Sequence, residues 1–109
     1  MKKDTLACLQ HIRDAIDSIT AYLKQEMPEE ARYDAILYRL VVIGEAANQR
    51  SKELRARYPD VAWRKIIDCR NLLIHNYMGV DHIIIDKILA IFLPELRTQI
   101  TTILNEWES

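Results

Sequence analysis

Residues 70–77, RNLLIHNY, set Arg70, Asn71, His75, Asn76 and Tyr77 around three aliphatic side chains. Arginine brings a permanent charge and a fork of donors matched to phosphate or carboxylate oxygens. Histidine exchanges a proton near neutral pH and can act as general base or acid. Asn71 and His75 are four apart, so on a helix the amide can reach the imidazole or share an anion with it. Tyr77 offers a hydroxyl and a ring that can stack on a base.

The surroundings are those of a packed helix. Trp63, Ile66, Ile67, Leu73, Ile74 and Tyr77 recur at steps of three and four, and position 70 falls in the same stripe. A buried unpaired guanidinium is very costly, so Arg70 must meet an acid, a cleft or a partner surface. The simplest account is an aliphatic stem on the core and a head that reaches a carboxylate such as Glu45. Arg70 and Tyr77, seven apart, share a face, whereas Arg70 and His75 diverge by about 140° on an ideal helix. A single straight helix therefore does not aim both at one point. Either His75 lies where the helix ends, or a second copy of the chain completes the site, or both.

The elements that must position these residues are helical. Leu6, Leu9, Ile12, Ile16, Ile19 and Leu23 form a first stripe, with Asp4 as its N-cap. Pro28, Glu29 and Glu30 suit the start of a second helix. Its stripe is Tyr33, Ile36, Leu37, Leu40, Val41, Gly44 and Ala47. A glycine there costs about 1 kcal/mol against alanine, which points to close approach of another helix. SKELRAR, ending before Tyr58-Pro59, reads as a short helix. Asp60 is placed to cap a third main helix over 61–77, with Gly79 as its C-terminal cap. Asp81 is placed to cap a fourth, whose stripe Ile85, Ile88, Phe92, Leu96, Ile100, Ile103 and Trp107 keeps its phase through Pro94 and so reads as one kinked helix. The expectation is an all-α, up-down bundle of four main helices plus a short one, in a single domain over residues 1–109.

Composition excludes several classes. Half the residues are apolar, 28% are charged and the net charge is −1, so no global attraction to nucleic acid or membranes is written into the balance. No apolar run approaches the ~20 residues of a membrane helix. The start MKKDTLACLQ shows no signal-peptide core, so a cytoplasmic setting is expected, as it is from Cys8 and Cys69, which lack redox or metal spacing. The scattered His11 and His82 and the two cysteines make no metal site.

Beyond single residues, Arg70, four residues, His75, one residue, Tyr77 resembles the R-x4-H-x-Y signature of HEPN-domain proteins, specifically the HepT-like toxins. The blocks IGEAANQ (43–49), RYPDVAWRKI (57–66) and LPEL (93–96) are similar to the same family, so the resemblance covers nearly the whole chain. It implies a HEPN-like homodimer. It also implies the toxin of a type VII toxin–antitoxin system, a metal-independent endoribonuclease without cofactors. By the same resemblance the partner is a minimal nucleotidyltransferase (MNT) antitoxin that silences the toxin by adding AMP to the motif tyrosine, here Tyr77.

Under that resemblance His75 would move protons at the 2′-hydroxyl and the leaving oxygen, while Arg70 offsets the charge of the pentavalent phosphate. Two copies around one cleft would supply a base and an acid. The products would be a 2′,3′-cyclic phosphate and a 5′-hydroxyl. Asn71, Asn76 and Glu45 would support the pair. Residues 50–70 hold seven cations against three acids, among them Arg57, Arg64 and Lys65, a local excess of four where the RNA, transfer or messenger, would lie. A second hypothesis is a non-catalytic helical dimer that binds the nucleotidyltransferase and receives or regulates AMP. A third, a structural bundle, explains the stripes but not the polar cluster.

Overall fold

The computed structural model describes residues 3–76 and 79–108. The elements are α1 (Lys3–Lys24), α2 (Glu29–Gln49), α3 (Ser51–Arg57), α4 (Trp63–His75), α5 (His82–Lys87), a π-helical turn (Ile88–Phe92) and α6 (Leu93–Glu108). No strand occurs among the described residues. The all-α, HEPN-like bundle is therefore formed by α1, α2, α4 and the run from α5 to α6, with α3 as the short extra helix.

The stripes build the core. Leu9, Ile12, Ile16 and Ile19 of α1 are buried with Ile36, Leu37, Leu40 and Ile43 of α2. Trp63, Ile66 and Leu73 of α4 and Leu96, Ile100 and Leu104 of α6 join the same cluster. Helix α1 packs on α2 and α6, and α2 packs on α4. Between α1 and α2, Arg32 Nε donates to the Tyr22 carbonyl (3.0 Å) and Nη2 to the Gln25 carbonyl (2.7 Å), while the guanidinium pairs with Glu29. A cation on the last carbonyls of α1 satisfies groups the helix leaves open and suits its dipole.

Several boundaries depart from the sequence reading. Helix α1 already includes Lys3, so Asp4 lies in its first turn and not at its cap; its carboxylate accepts from Arg50 Nη2 (3.0 Å). Leu23, at the end of the α1 stripe, is half-exposed. Helix α4 begins at Trp63 with Ala62 in the cap position and no side-chain cap. Asp60 sits in the preceding turn, which is closed by Val61 N–H on the Tyr58 carbonyl (3.2 Å) and by Trp63 Nε1 on the same carbonyl (2.8 Å). Helix α4 ends at His75, so Asn76 takes the C-terminal cap position. Gly79 does not adopt the left-handed conformation of a glycine cap. Its N–H bonds the Asn76 carbonyl at 3.1 Å instead.

Asp81 caps as expected: its carboxylate accepts from the Ile83 N–H at 2.9 Å. The fourth helix does run through Pro94. The irregularity sits just ahead of the proline, where Leu93 N–H reaches back five residues to the Ile88 carbonyl. A π turn there takes up the ladder disturbance that proline's missing N–H and ring impose.

Candidate functional site

Arg70 is held by what lies opposite it on α2. Its Nε donates to Glu45 Oε1 at 2.7 Å, and Nη2 bonds the same oxygen. Nη1 donates to Asn71 Oδ1 at 2.7 Å. The side chain keeps 24% of its exposure, so the head reaches solvent while the stem is covered. The apolar position 70 is explained by a paired guanidinium whose stem lies on the core, and Glu45 is its acid. The helices approach so closely because residue 44 is glycine: a Cβ there would overlap Arg70 Cβ and stand 3.2 Å from the Ile66 carbonyl oxygen.

The donor count defines what the site can do. Of five guanidinium N–H groups, Glu45 takes the edge formed by Nε and Nη2, and Asn71 takes one on Nη1. Among the described residues one N–H on each Nη takes no acceptor, and these two can donate to oxygens of an anion. Asn71 commits its carbonyl oxygen to Arg70, and its amide N–H groups are the part that could serve His75 or an anion.

His75 is the last residue of α4 and is exposed, as the helix-end alternative requires. Arg64, Asn71 and His75 fall within about 40° of one another around α4, so a cation, an amide and the imidazole share one stripe. Arg64 is engaged by Asp68 at 3.1 Å across one turn. Lys65 lies apart, on the rim of an apolar groove of about 490 Å³ between α4 and the α5–π segment, with Cys69, Leu72, Ile84 and Ile91. Arg57 is exposed at the end of α3. The local excess of four cations shrinks to two, because Asp4 and Glu45, from outside residues 50–70, pair with Arg50 and Arg70. Asn76 is exposed after α4. Tyr77, the proposed acceptor of AMP, lies outside the described residues.

The groove goes beyond the sequence reading, although HIIIDK carries a signal for it: three consecutive isoleucines cannot all face one side of a helix. Only Ile85 is buried, while Ile83 and Ile84 are exposed. Among the described residues no group of three His, Cys, Asp or Glu side chains is arranged to hold a metal ion, and no helix is long and apolar enough to cross a membrane.

The family model described as "Ribonuclease HepT-like" matches residues 7–103. A bundle of this architecture with Arg70 and His75 on α4 thus belongs to the HepT-like ribonuclease family. Relatives include "Gamma-glutamylcyclotransferase and putative RNase MJ0434" of Methanocaldococcus jannaschii, 30% identical over 97% of this chain. The chain spans about half the length of that relative. "Putative RNase MJ1380" of the same organism is 30% identical over 91% of this chain and 95% of its own length. "Probable ribonuclease HepT" of Thermococcus cleftensis is 28% identical over 89% and 93%. No solved structure gives a significant match.

Proposed function

We propose that this chain is the toxin of a toxin–antitoxin pair, a metal-independent endoribonuclease that acts through Arg70 and His75 at the cleft of a homodimer. The observation that carries the reading is the half-buried Arg70, fixed by Glu45 and Asn71, on the helix that ends in an exposed His75. Family membership and the ribonuclease names of the relatives support it.

In this reading a phosphodiester of RNA, a transfer RNA first among candidates, rests its oxygens on the remaining N–H groups of Arg70. His75 of one copy takes the 2′-hydroxyl proton. The 2′-oxygen attacks phosphorus, and the bond to the 5′-oxygen breaks. His75 of the second copy gives that oxygen its proton, leaving a 2′,3′-cyclic phosphate and a 5′-hydroxyl. Arg70 offsets the charge that grows on the phosphorane oxygens. An MNT-type nucleotidyltransferase silences the protein by adding AMP to Tyr77, which would bring volume and negative charge against the RNA.

The test is cleavage of total cellular RNA by purified protein in EDTA, wild type beside His75→Ala. Cleavage by the wild type alone, with cyclic-phosphate ends, is the expected result. Intact RNA after exposure to a dimer shown by mass spectrometry to carry no AMP would overturn the nuclease. It would favour a non-catalytic dimer that binds and regulates a nucleotidyltransferase.

A further inference from the structure

Two contacts of helix α2 flank the stretch from Arg70 to His82. The first is the contact of Gly44 and Glu45 with Arg70. The second lies eleven residues earlier, where the Tyr33 ring stacks on the His82 ring with centroids 4.1 Å apart and planes 4° from parallel. Eleven residues of α-helix span about 16 Å and return to within about 20° of the starting direction. Gly44 and Tyr33 therefore lie on one ridge of α2. That ridge holds Arg70, which opens the R-x4-H-x-Y motif, and His82, the first residue of α5.

Between these two places the chain carries His75 and the residues that follow it. Its far end is anchored three times in succession. Val80 is buried, Asp81 accepts from the Ile83 N–H, and His82 stacks on Tyr33. Val80 and Asp81 fix the segment to the core and to α5. The ring pair joins it to α2, the helix that also holds Arg70. Ring pairs prefer defined offset-stacked or edge-to-face arrangements.

We propose that Tyr33 and His82 are positioning residues, a second clamp by which α2 sets the place of His75 relative to Arg70. The proposal rests on the ribonuclease reading above. It gives His82, which the motif does not contain, a part in turnover that acts through His75. A displacement of about 1 Å at a reacting group can cost ~100-fold in rate, so loss of one clamp at the edge of the segment should be felt in kcat.

The experiment measures kcat and KM for a labelled RNA with wild type, His82→Ala, His82→Phe and Tyr33→Leu, well below each protein's unfolding temperature. His82→Ala and Tyr33→Leu should lower kcat about tenfold or more with KM little changed. His82→Phe, which keeps a flat ring on Tyr33, should restore turnover. Hydrogen exchange at Asn76 and residues 79–81 should rise in His82→Ala and not in His82→Phe. Wild-type kcat in His82→Ala would overturn the clamp and leave the nuclease standing. So would a His82→Phe protein as slow as the alanine variant, since the ring pair would then not be the operative feature. Absence of cleavage by the wild type itself would remove the ribonuclease reading and the clamp's purpose with it.

Discussion

Gly44 and Arg70 touch with no side chain between them on the glycine side: a Cβ at position 44 would overlap Arg70 Cβ and stand 2.7 Å from its Cγ. No β-carbon fits in that space, so α2 and α4 are as close as they are only because residue 44 is glycine. Glu45, the next residue, then takes the head of the same arginine. Adjacent residues of α2 thus seat the stem and orient the charge.

Gly44→Ala should therefore destabilise the protein although alanine is the better helix former by about 1 kcal/mol. Forcing the helices apart should cost about 1–3 kcal/mol on the scale of overpacked cores. The midpoint of chemical denaturation is expected to fall. A midpoint equal to or above that of the wild type would show that the two helices have slack to absorb a methyl group.

Glu45→Ala leaves Arg70 without its main acceptor, while Glu45→Gln keeps an oxygen at the same place without the charge. RNA cleavage should order as wild type, then glutamine, then alanine. Both partners are partly exposed, Glu45 by 44%, so the stability change should be only about 1 kcal/mol or less. Arg70→Ala, in a His75→Ala background that is expected not to cleave, should lower the slope of log affinity against log salt by about 0.7 for each phosphate of a single strand that the protein no longer holds. An unchanged slope and affinity would place the RNA elsewhere on the surface.

Much of this arrangement is legible in the sequence, and the misses have physical causes. The stripes of α1, α2, α4 and α6 define the bundle because a period of three to four residues needs only local information. Arg70 betrays itself as a charge at an apolar position, and Gly44 as a costly residue inside a helix. Asp60 reads as a cap because a good capping residue stands near the helix start; the turn closes on the Tyr58 carbonyl instead, and Ala62 takes the position. Lys65 groups with Arg64 in sequence because they are neighbours. On a helix neighbours diverge by about 100°, and Lys65 turns to the groove. The Tyr33–His82 stack joins residues 49 positions apart, and no local pattern signals it.

Asp81 accepts from the Ile83 N–H at 2.9 Å and caps a helix of only six residues before the π turn. Asp81→Ala should cost about 1 kcal/mol. Asp81→Asn or Asp81→Ser, which also cap, should restore most of it. Thermal unfolding of the three variants would read the difference. Equal losses in all three would mean that the carboxylate's charge matters more than its hydrogen bond.

Cys8 supplies a pH dependence whose sign can be worked out. Its thiol is buried and donates to the Ala46 carbonyl at 2.6 Å. Burial pushes its pKa up from 9.0 to about 11, against a smaller opposing effect of Arg50. Only the unfolded chain therefore ionises this thiol between those values, and ionisation favours the unfolded state. The contribution is fully present below pH 9 and is lost as pH rises toward about 11. The loss should approach about 2 kcal/mol, since each tenfold change in an ionisation equilibrium is worth ~1.4 kcal/mol. Cys8→Ala removes the group that titrates, so its stability curve should stay flatter than that of the wild type across this range, from a lower starting point because the Ala46 carbonyl loses its donor. Parallel decline of the two curves would assign the alkaline loss to other groups.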